Sequence, residues 1–515
     1  MKARVSLTAK TDQIPDASTE VPVITELIDH CPSRQMTLLF ARTVEMNIGH
    51  GFGGVTRMKQ YCKFPILLGL ALALFPFSTP AHNIYNYILQ SPNRGQAEAA
   101  CHTYGMTIVG TIRDPDTYLV QVSGAVPPNV LQQWVQHDPN VSHLELDNNV
   151  SVPETSLTAP PYIPPMPVTD YVSDGHLTQL YGTQAWTGYV QQPAVYATNA
   201  WTAMQQNGAG KFTVAVIDTG IDSNNPILAP VLVSGYDFTR NVAGYASDLA
   251  DVNQHTAAML DQTRPAPGES YQVVVLNQFT AAILEQHTAA MLDGSGLPSF
   301  FGHGTMVAGL IHLVAPTAKI MSLKAFGADG TANQSDVIRA IYYAVDHGAT
   351  VINMSFELTQ ISDALMKAIN YADRNGVICV ASAGNEGISG LVYPAAYGNV
   401  ISVGSVDQQS QQSSFTNFGP DLVRIAAPGE ALVTTYPGNH YAAAWGTSFS
   451  CAIVAGAVVD LLSAVDQHLA PELRGGDILR ALSHAGRCGN AGSLGAGCLD
   501  FNQAVQFIKG TNLPH

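Results

Sequence analysis

The sequence predicts an α/β protein with a mostly parallel sheet covered by helices on both faces, preceded by a small α+β unit. Three observations predict it. Phe212 to Ile217 is a continuous apolar run, the pattern of a strand buried on both faces of a parallel sheet. Apolar strands and helical stretches then alternate: Ile320 to Leu323, helix Ser335 to Asp346, Thr350 to Met354, helix Ser362 to Asn375, Val377 to Ala381 and Val400 to Val403. Such alternation belongs to layered α/β folds. Upstream, residues 82–154 read strand, helix, strand, strand, helix, strand, the order of a ferredoxin-like module.

Composition sets the limits. At 515 residues the chain exceeds one ordinary domain. Hydrophobic residues at 46% and charged residues at 12% suit packed cores rather than disorder. The formal charge is -16 and no Lys/Arg block stands out, so nucleic acid is not an expected partner. Cys31, Cys62, Cys101, Cys379, Cys451, Cys488 and Cys498 include no Cys-x-x-Cys pair. Only Cys488 and Cys498 are close in sequence; they flank a Gly-rich loop that a disulfide could close in an oxidising compartment.

Taken in order, residues 1–57 show no sustained periodicity and read as an unstructured extension or a gene-start artefact, with Met58 as the true initiator. Met58, Lys59 and Lys63 precede the apolar run Phe64 to Phe77, followed by Ser78-Thr79-Pro80-Ala81. That is a signal peptide over 58–81, cleaved after Ala81, and it places the product outside the cell or in the periplasm. The alternative is a type II membrane anchor, against which the short apolar run counts. Strands are expected at Tyr85–Leu89, Thr107–Val109, Tyr118–Val122 and Val141–Val150, with helices at Gln96–Tyr104 and Val130–His137. Residues 155–174 form a Pro-rich, extended linker suited to a maturation cut. A helix is expected over Tyr189–Gln206, within the large domain 175–515.

An insertion spans about 240–298. Its octapeptide Gln254 to Asp261 recurs as Gln286 to Asp293, with a looser copy at Gln278 to Glu285. The period of eight matches neither a helix nor a clean strand alternation. Two readings stand: a tolerated surface loop, or a flap shaping access to the His303 segment.

Four stretches carry the chemistry. Gly446-Thr447-Ser448 turns into the apolar helix Ala452 to Leu462, presenting a serine hydroxyl at a helix N-terminus. Upstream stand Ile217-Asp218-Thr219-Gly220, Gly302-His303-Gly304-Thr305 and Ala383-Gly384-Asn385-Glu386-Gly387. Singly, each residue reads as a cap or turn residue. Together, in this order, residues from about 175 to 510 resemble a subtilisin-like serine peptidase.

The resemblance implies Ser448 as nucleophile, His303 as its general base, Asp218 orienting His303, and the Asn385 amide as oxyanion donor. It implies that residues 82–154 are an inhibitory propeptide, an intramolecular partner in a self-processing zymogen. Substrate would pair as a strand between Gly330-Thr331-Ala332 and Ser355-Phe356-Glu357. The family usually has Gly where Glu357 stands; that carboxylate either meets a basic substrate side chain or turns to solvent. Ala452 replaces a usual proline, and Met306 a common second histidine. The short segment Val307 to Pro316 and Ile227 argue against the calcium site of many relatives, so no metal or cofactor is expected. The partners implied are a protein or peptide substrate, and a membrane only through an uncleaved signal segment. The competing reading is a catalytically silent peptide-binding relative whose cleft the repeat insertion covers.

Overall fold

The computed structural model describes residues 84–153, 209–254, 297–464, 475–483 and 493–510, small internal gaps apart, with short stretches between 177 and 198 and at 257, 273–274 and 488. The expected extension, signal segment, Pro-rich linker and nearly all of the octapeptide repeats lie outside these residues. Everything below belongs to the unit Thr79–His515.

The small N-terminal region contains β1 (Ile84–Gln90), α1 (Arg94–Tyr104), β2 (Met106–Arg113), β3 (Thr117–Ser123), α2 (Pro128–Val135) and β4 (His143–Leu146). The sheet order is β2-β3-β1-β4, antiparallel throughout. Local signals set α1: the Asn93 side chain accepts the Gln96 N–H at its start, and Gly105, at φ 68°, ends it. Tyr87, Leu89, Tyr118 and Val120 alternate inward to pack with Leu131 and Val135 of α2. One expectation is corrected. The strand expected over Val141–Val150 is two, β4 and β5 (Asn149–Ser151), and β5 leaves this sheet for another partner. The reason lies at Asp147, whose carboxylate accepts the Ser335 N–H at 2.8 Å and the Ser335 hydroxyl at 2.7 Å. Those bonds draw the chain across to the larger region.

That region is built on β6 (Thr213–Asp218), β7 (Leu232–Asp237), β8 (Val242–Gly244), α3 (His303–Val314), β9 (Lys319–Lys324), β10 (Thr331–Asn333), α4 (Gln334–Asp346), β11 (Val351–Met354) and α5 (Asp363–Arg374). It continues with β12 (Ile378–Ser382), β13 (Val400–Val406), β14 (Ile425–Pro428), β15 (Leu432–Tyr436), β16 (His440–Ala444), α6 (Thr447–Ala464), α7 (Gly475–Leu482) and α8 (Phe501–Gly510). Eight strands form one sheet in the order β8-β7-β9-β6-β11-β12-β13-β14. Every neighbouring pair is parallel except β8 with β7. The apolar run of β6 now has its physical reason. Val214 and Val216 face α3 and α6, while Ala215 and Ile217 face α4 and α5. Both faces are covered, so both sets of side chains must be apolar.

Among the described helices, α6 has the length and apolarity to cross a membrane, yet it is 89% buried within the fold; it is a core helix. Of the helix expected over Tyr189–Gln206, the described residues include the end of the four-residue helix Thr187–Val190 and scattered positions as far as 198, and residues 199–208 lie outside the described set. Strands β7, β8, β14, β15 and β16 have no counterpart in the sequence reading. The short edge strand β14 ends in Pro428, a residue tolerated at a sheet margin because no neighbour needs its N–H. Cys488 and Cys498 are joined in a disulfide, and the Cys498 segment lies beside this edge, with Ala426 N–H donating to Gly497 O and Leu499 N–H to Ala426 O.

Candidate active site

Three elements of the larger region bring the expected catalytic residues to one end of the sheet. Asp218 is the last residue of β6, a central strand, and so lies where functional groups gather in parallel sheets. His303 opens α3, and its Nδ1 lies 2.8 Å from Asp218 Oδ1. The pair is nearly sealed from solvent, with side-chain exposures of 3% and 0%. The Thr219 N–H also donates to Asp218 Oδ1, at 2.7 Å. Such an acceptor fixes the imidazole tautomer with its proton on Nδ1.

Ser448 is the second residue of α6. The end of β11 holds this turn: Asn353 Nδ2 donates to Ser355 Oγ at 3.0 Å, and Ser355 Oγ donates to the Ser448 carbonyl at 3.2 Å. Cys451 Sγ contacts Asn353 Oδ1 at 3.2 Å. The ring of Phe449 packs on the His303 imidazole at 5.5 Å between centroids. Asn385 follows β12 and locks onto the same turn. Its Oδ1 accepts both the backbone N–H and the hydroxyl of Thr447, each at 2.9 Å. This fixes the amide so that Nδ2 is buried without any hydrogen-bond partner. A buried, unpaired donor costs about 1–3 kcal/mol, a cost that a bound acceptor would relieve.

The expected substrate-binding segments are occupied by the chain itself. Strand β5 pairs antiparallel with β10, Thr331 opposite Ser151, Ala332 opposite Val150 and Asn333 opposite Asn149. Val152 N–H donates to Gly330 O at 3.0 Å. On the other side Ser151 and Glu357 exchange two backbone bonds, of 3.3 and 2.8 Å. Residues 149–152 thus lie as a strand between Gly330-Thr331-Ala332 and the Ser355-Phe356-Glu357 segment. Antiparallel register carries the next residues toward Phe356 and Ser355, hence toward Ser448. Phe356 is fully buried against Phe326, at 5.4 Å. Glu357 is 6% exposed, which corrects the solvent-facing alternative. Its Oε2 lies 2.6 Å from where a Cβ on Gly384 would stand, so the glycine before Asn385 makes room for it.

A family profile described as the subtilase family matches residues 209–485, more than half of the chain. The chain belongs to the subtilase family. A thermophilic serine proteinase of Bacillus sp. (strain AK1) is 33% identical over 304 residues, 58% of this chain and 64% of that protein. Thermitase of Thermoactinomyces vulgaris is 33% identical over 253 residues, 47% of this chain and 72% of thermitase. The matched span therefore covers about two thirds of these relatives. In fold, the epidermin leader peptide processing serine protease of Staphylococcus aureus superposes with a TM-score of 0.55 at 20% identity, covering 82% of this chain and 99% of that one.

In this subtilase the sequence reading missed the residues that act across long separations. Glu145 of β4 accepts the backbone N–H groups of Asp363 at 3.0 Å and Ala364 at 3.2 Å, and the Ser362 hydroxyl at 2.8 Å. It caps α5 as Asp147 caps α4, each carboxylate facing a positive helix end. Arg113 adds a contact to Asp346 and a bond to Tyr371 Oη at 2.7 Å. His143 lies 3.1 Å from Asp363 and 3.4 Å from Glu145. The bond to Glu145 raises its pKa above the ordinary histidine value, against the effect of burial. The one readable signal was the acidic spacing Glu145-x-Asp147 just before the cleft strand.

Proposed function

We propose that this subtilase is a secreted serine endopeptidase made as a self-processing zymogen. Ser448 attacks the peptide carbonyl while His303 takes its proton and returns it to the leaving amine. Asp218, bonded to Nδ1, holds the ring and stabilises the imidazolium. Asn385 Nδ2, with the Ser448 N–H, receives the oxyanion. The observation that carries this reading is the Asn385 amide, held by Thr447 through its oxygen and left with a buried, unsatisfied donor beside the serine turn. Buried polar groups are nearly always bonded; this one is arranged for an acceptor that arrives with the substrate.

Residues 82–154 are the inhibitory propeptide. Strand β5 lies in the cleft as a substrate strand would, and the carboxylates of Glu145 and Asp147 fasten the domain to two helix N-termini. The Pro-rich stretch that follows offers the cut. The signal segment at 58–81 directs secretion, and peptide or protein is the substrate.

The test is to produce the chain with and without Ser448→Ala and follow it by intact mass. Wild type clipped within 154–180, beside an intact Ala variant, supports the reading. If both stay whole, and wild type neither cleaves casein nor reacts with a fluorophosphonate, the catalytic reading fails.

A further inference from the structure

Behind the Asp218–His303 pair lies a carboxylate that takes no part in the chemistry just described. Asp248 belongs to the short turn Asp248–Asp251 at the start of the insertion, and it is fully buried. Its Oδ1 accepts the Thr219 hydroxyl at 2.7 Å. Its Oδ2 accepts the Thr305 hydroxyl at 2.6 Å and the Thr305 N–H at 3.2 Å. Thr219 directly follows Asp218, and Thr305 lies two residues after His303. One side chain therefore ties the end of β6 to the start of α3.

Both hydroxyls are committed as donors to this carboxylate. Thr219 Oγ1 accepts the Gly304 N–H at 3.0 Å, and Thr305 Oγ1 accepts the Asp222 N–H at 2.8 Å. Each has a backbone proton on one side and Asp248 on the other. The backbones meet as closely as the hydrogen bonds imply. A Cβ on Gly304 would stand 2.1 Å from Gly220 O, and one on Gly220 would stand 2.7 Å from Asp248 N. Strand end, helix start and insertion turn touch main chain to main chain, so a displaced Asp248 would carry His303 with it.

We propose that Asp248 is a positioning residue for the reaction: its ionised carboxylate, through Thr219 and Thr305, holds His303 in register with Asp218 and favours the imidazolium. The inference rests on the serine peptidase reading. The ionisable groups acting on it are Asp218, Lys324 and Tyr436, with His303, Asp222 and Asp251 reached through Asp218, Thr305 and Lys324. Lys324, itself fully buried, donates to the Thr219 carbonyl, to Asp251 Oδ2 at 2.6 Å and to Phe326 O at 2.7 Å. Burial pushes the Asp248 carboxyl up to about 7, against the opposing pull of Lys324 and the threonine hydroxyls. The clamp is therefore fully charged only above neutrality, inside the range where His303 must act as a base.

The experiment compares the wild-type chain with Asp248→Asn in kcat and KM from pH 5 to 10. Asparagine keeps the shape but puts donors where the carboxylate accepts. The expected result is a fall in kcat of roughly 10- to 100-fold, KM within about twofold, and an acid limb of log kcat that becomes shallower, from two protons to one. Thr219→Val removes one arm of the clamp and should reproduce the kcat loss should Asp248→Asn fail to fold. In parallel, the His303 titration midpoint is read by NMR in the Ser448→Ala chain with and without Asp248→Asn. Removing the neighbouring negative charge should lower it by about half a unit or more. An unchanged midpoint, or a loss carried by KM with an unaltered pH profile, overturns the proposal. Should wild type itself prove inert to peptide and fluorophosphonate, the peptidase reading fails instead, and the NMR titration still decides the role of Asp248.

Discussion

Helices α3 and α6 each carry polar groups at two levels, and the levels differ. At the cleft end, His303 lies against Asp218, and the turn leading through Ser448 is bonded to Asn385 and Ser355. Further along, His312 and Asp460 are just as deeply buried, at 3% and 1% exposure, but neither ring nitrogen of His312 has a hydrogen-bond partner, nor has Asp460 Oδ2. Burial alone therefore does not mark a working residue. On the proposed reading, what marks it is a set of partners that leaves one chosen atom unsatisfied, as at Asn385 Nδ2. The electrostatics agree. Burial alone drives the His312 pKa down to about 4 and holds the Asp460 carboxyl well above its ordinary value, so both favour their neutral forms.

The comparison can be broken most severely at the cleft end. Ser448→Ala should lower kcat/KM on the order of 10⁶-fold, while the thermal midpoint measured by calorimetry stays within a few degrees. Asn385→Ala should cost roughly 10²–10³ in kcat, with a smaller stability loss from the two missing Thr447 bonds, about 1 kcal/mol each. Both losses should be read in the chain freed of residues 82–154, so that the proposed inhibition by that segment does not enter.

At the other level the same kind of substitution should help. His312 has a folded pKa of about 4 against an ordinary 6.5. The folded state binds this proton less readily than the unfolded state, so stability is lost as pH falls from about 6.5 toward 4. His312→Leu should remove that loss, on the order of 3 kcal/mol at pH 4, in denaturant titrations run at pH 4 and pH 7.5. For Asp460 the sign is opposite. Its raised pKa makes the folded state hold the proton more tightly, so stability is present in acid and lost as pH rises through the folded value. Asp460→Asn should therefore gain most at alkaline pH and nothing at pH 3. A gain of the same size at both pH values would mean that folding leaves the Asp460 pKa unshifted, and the contrast between the levels would then fail.

The contact made by the N-terminal region sharpens the comparison from outside. Glu145→Gln leaves the helix N–H groups with an acceptor but removes the charge that complements α5. Inhibition of the matured enzyme by the separate 82–154 segment should weaken by about two- to tenfold, measured as a shift in the inhibition constant. No change would leave the holding force to β5, Asp147 and Arg113.

Much of this was present in the order of residues. The apolar run ending at Asp218, the Gly-rich turns around His303 and Asn385, and the Gly-Thr-Ser turn before α6 are local patterns, because strand, turn and helix signals are set by neighbours in sequence. The two segments that flank β5, expected as substrate-binding, each follow or precede an element whose local pattern was legible. What the sequence could not give were the bonds that join distant segments. Asp248 to Thr305, Glu145 to Asp363, Asp147 to Ser335 and Ser355 to Ser448 span from 57 to 218 residues. A carboxylate in such a bond looks, in sequence, like any loop acid. The break of the last N-terminal strand into β4 and β5 has the same origin: both halves are good strand sequence, and a docked helix end decides where the chain leaves the sheet. Local propensity chose the elements, and only the packed structure, by burying some polar atoms with partners and others without, decided which of them could act.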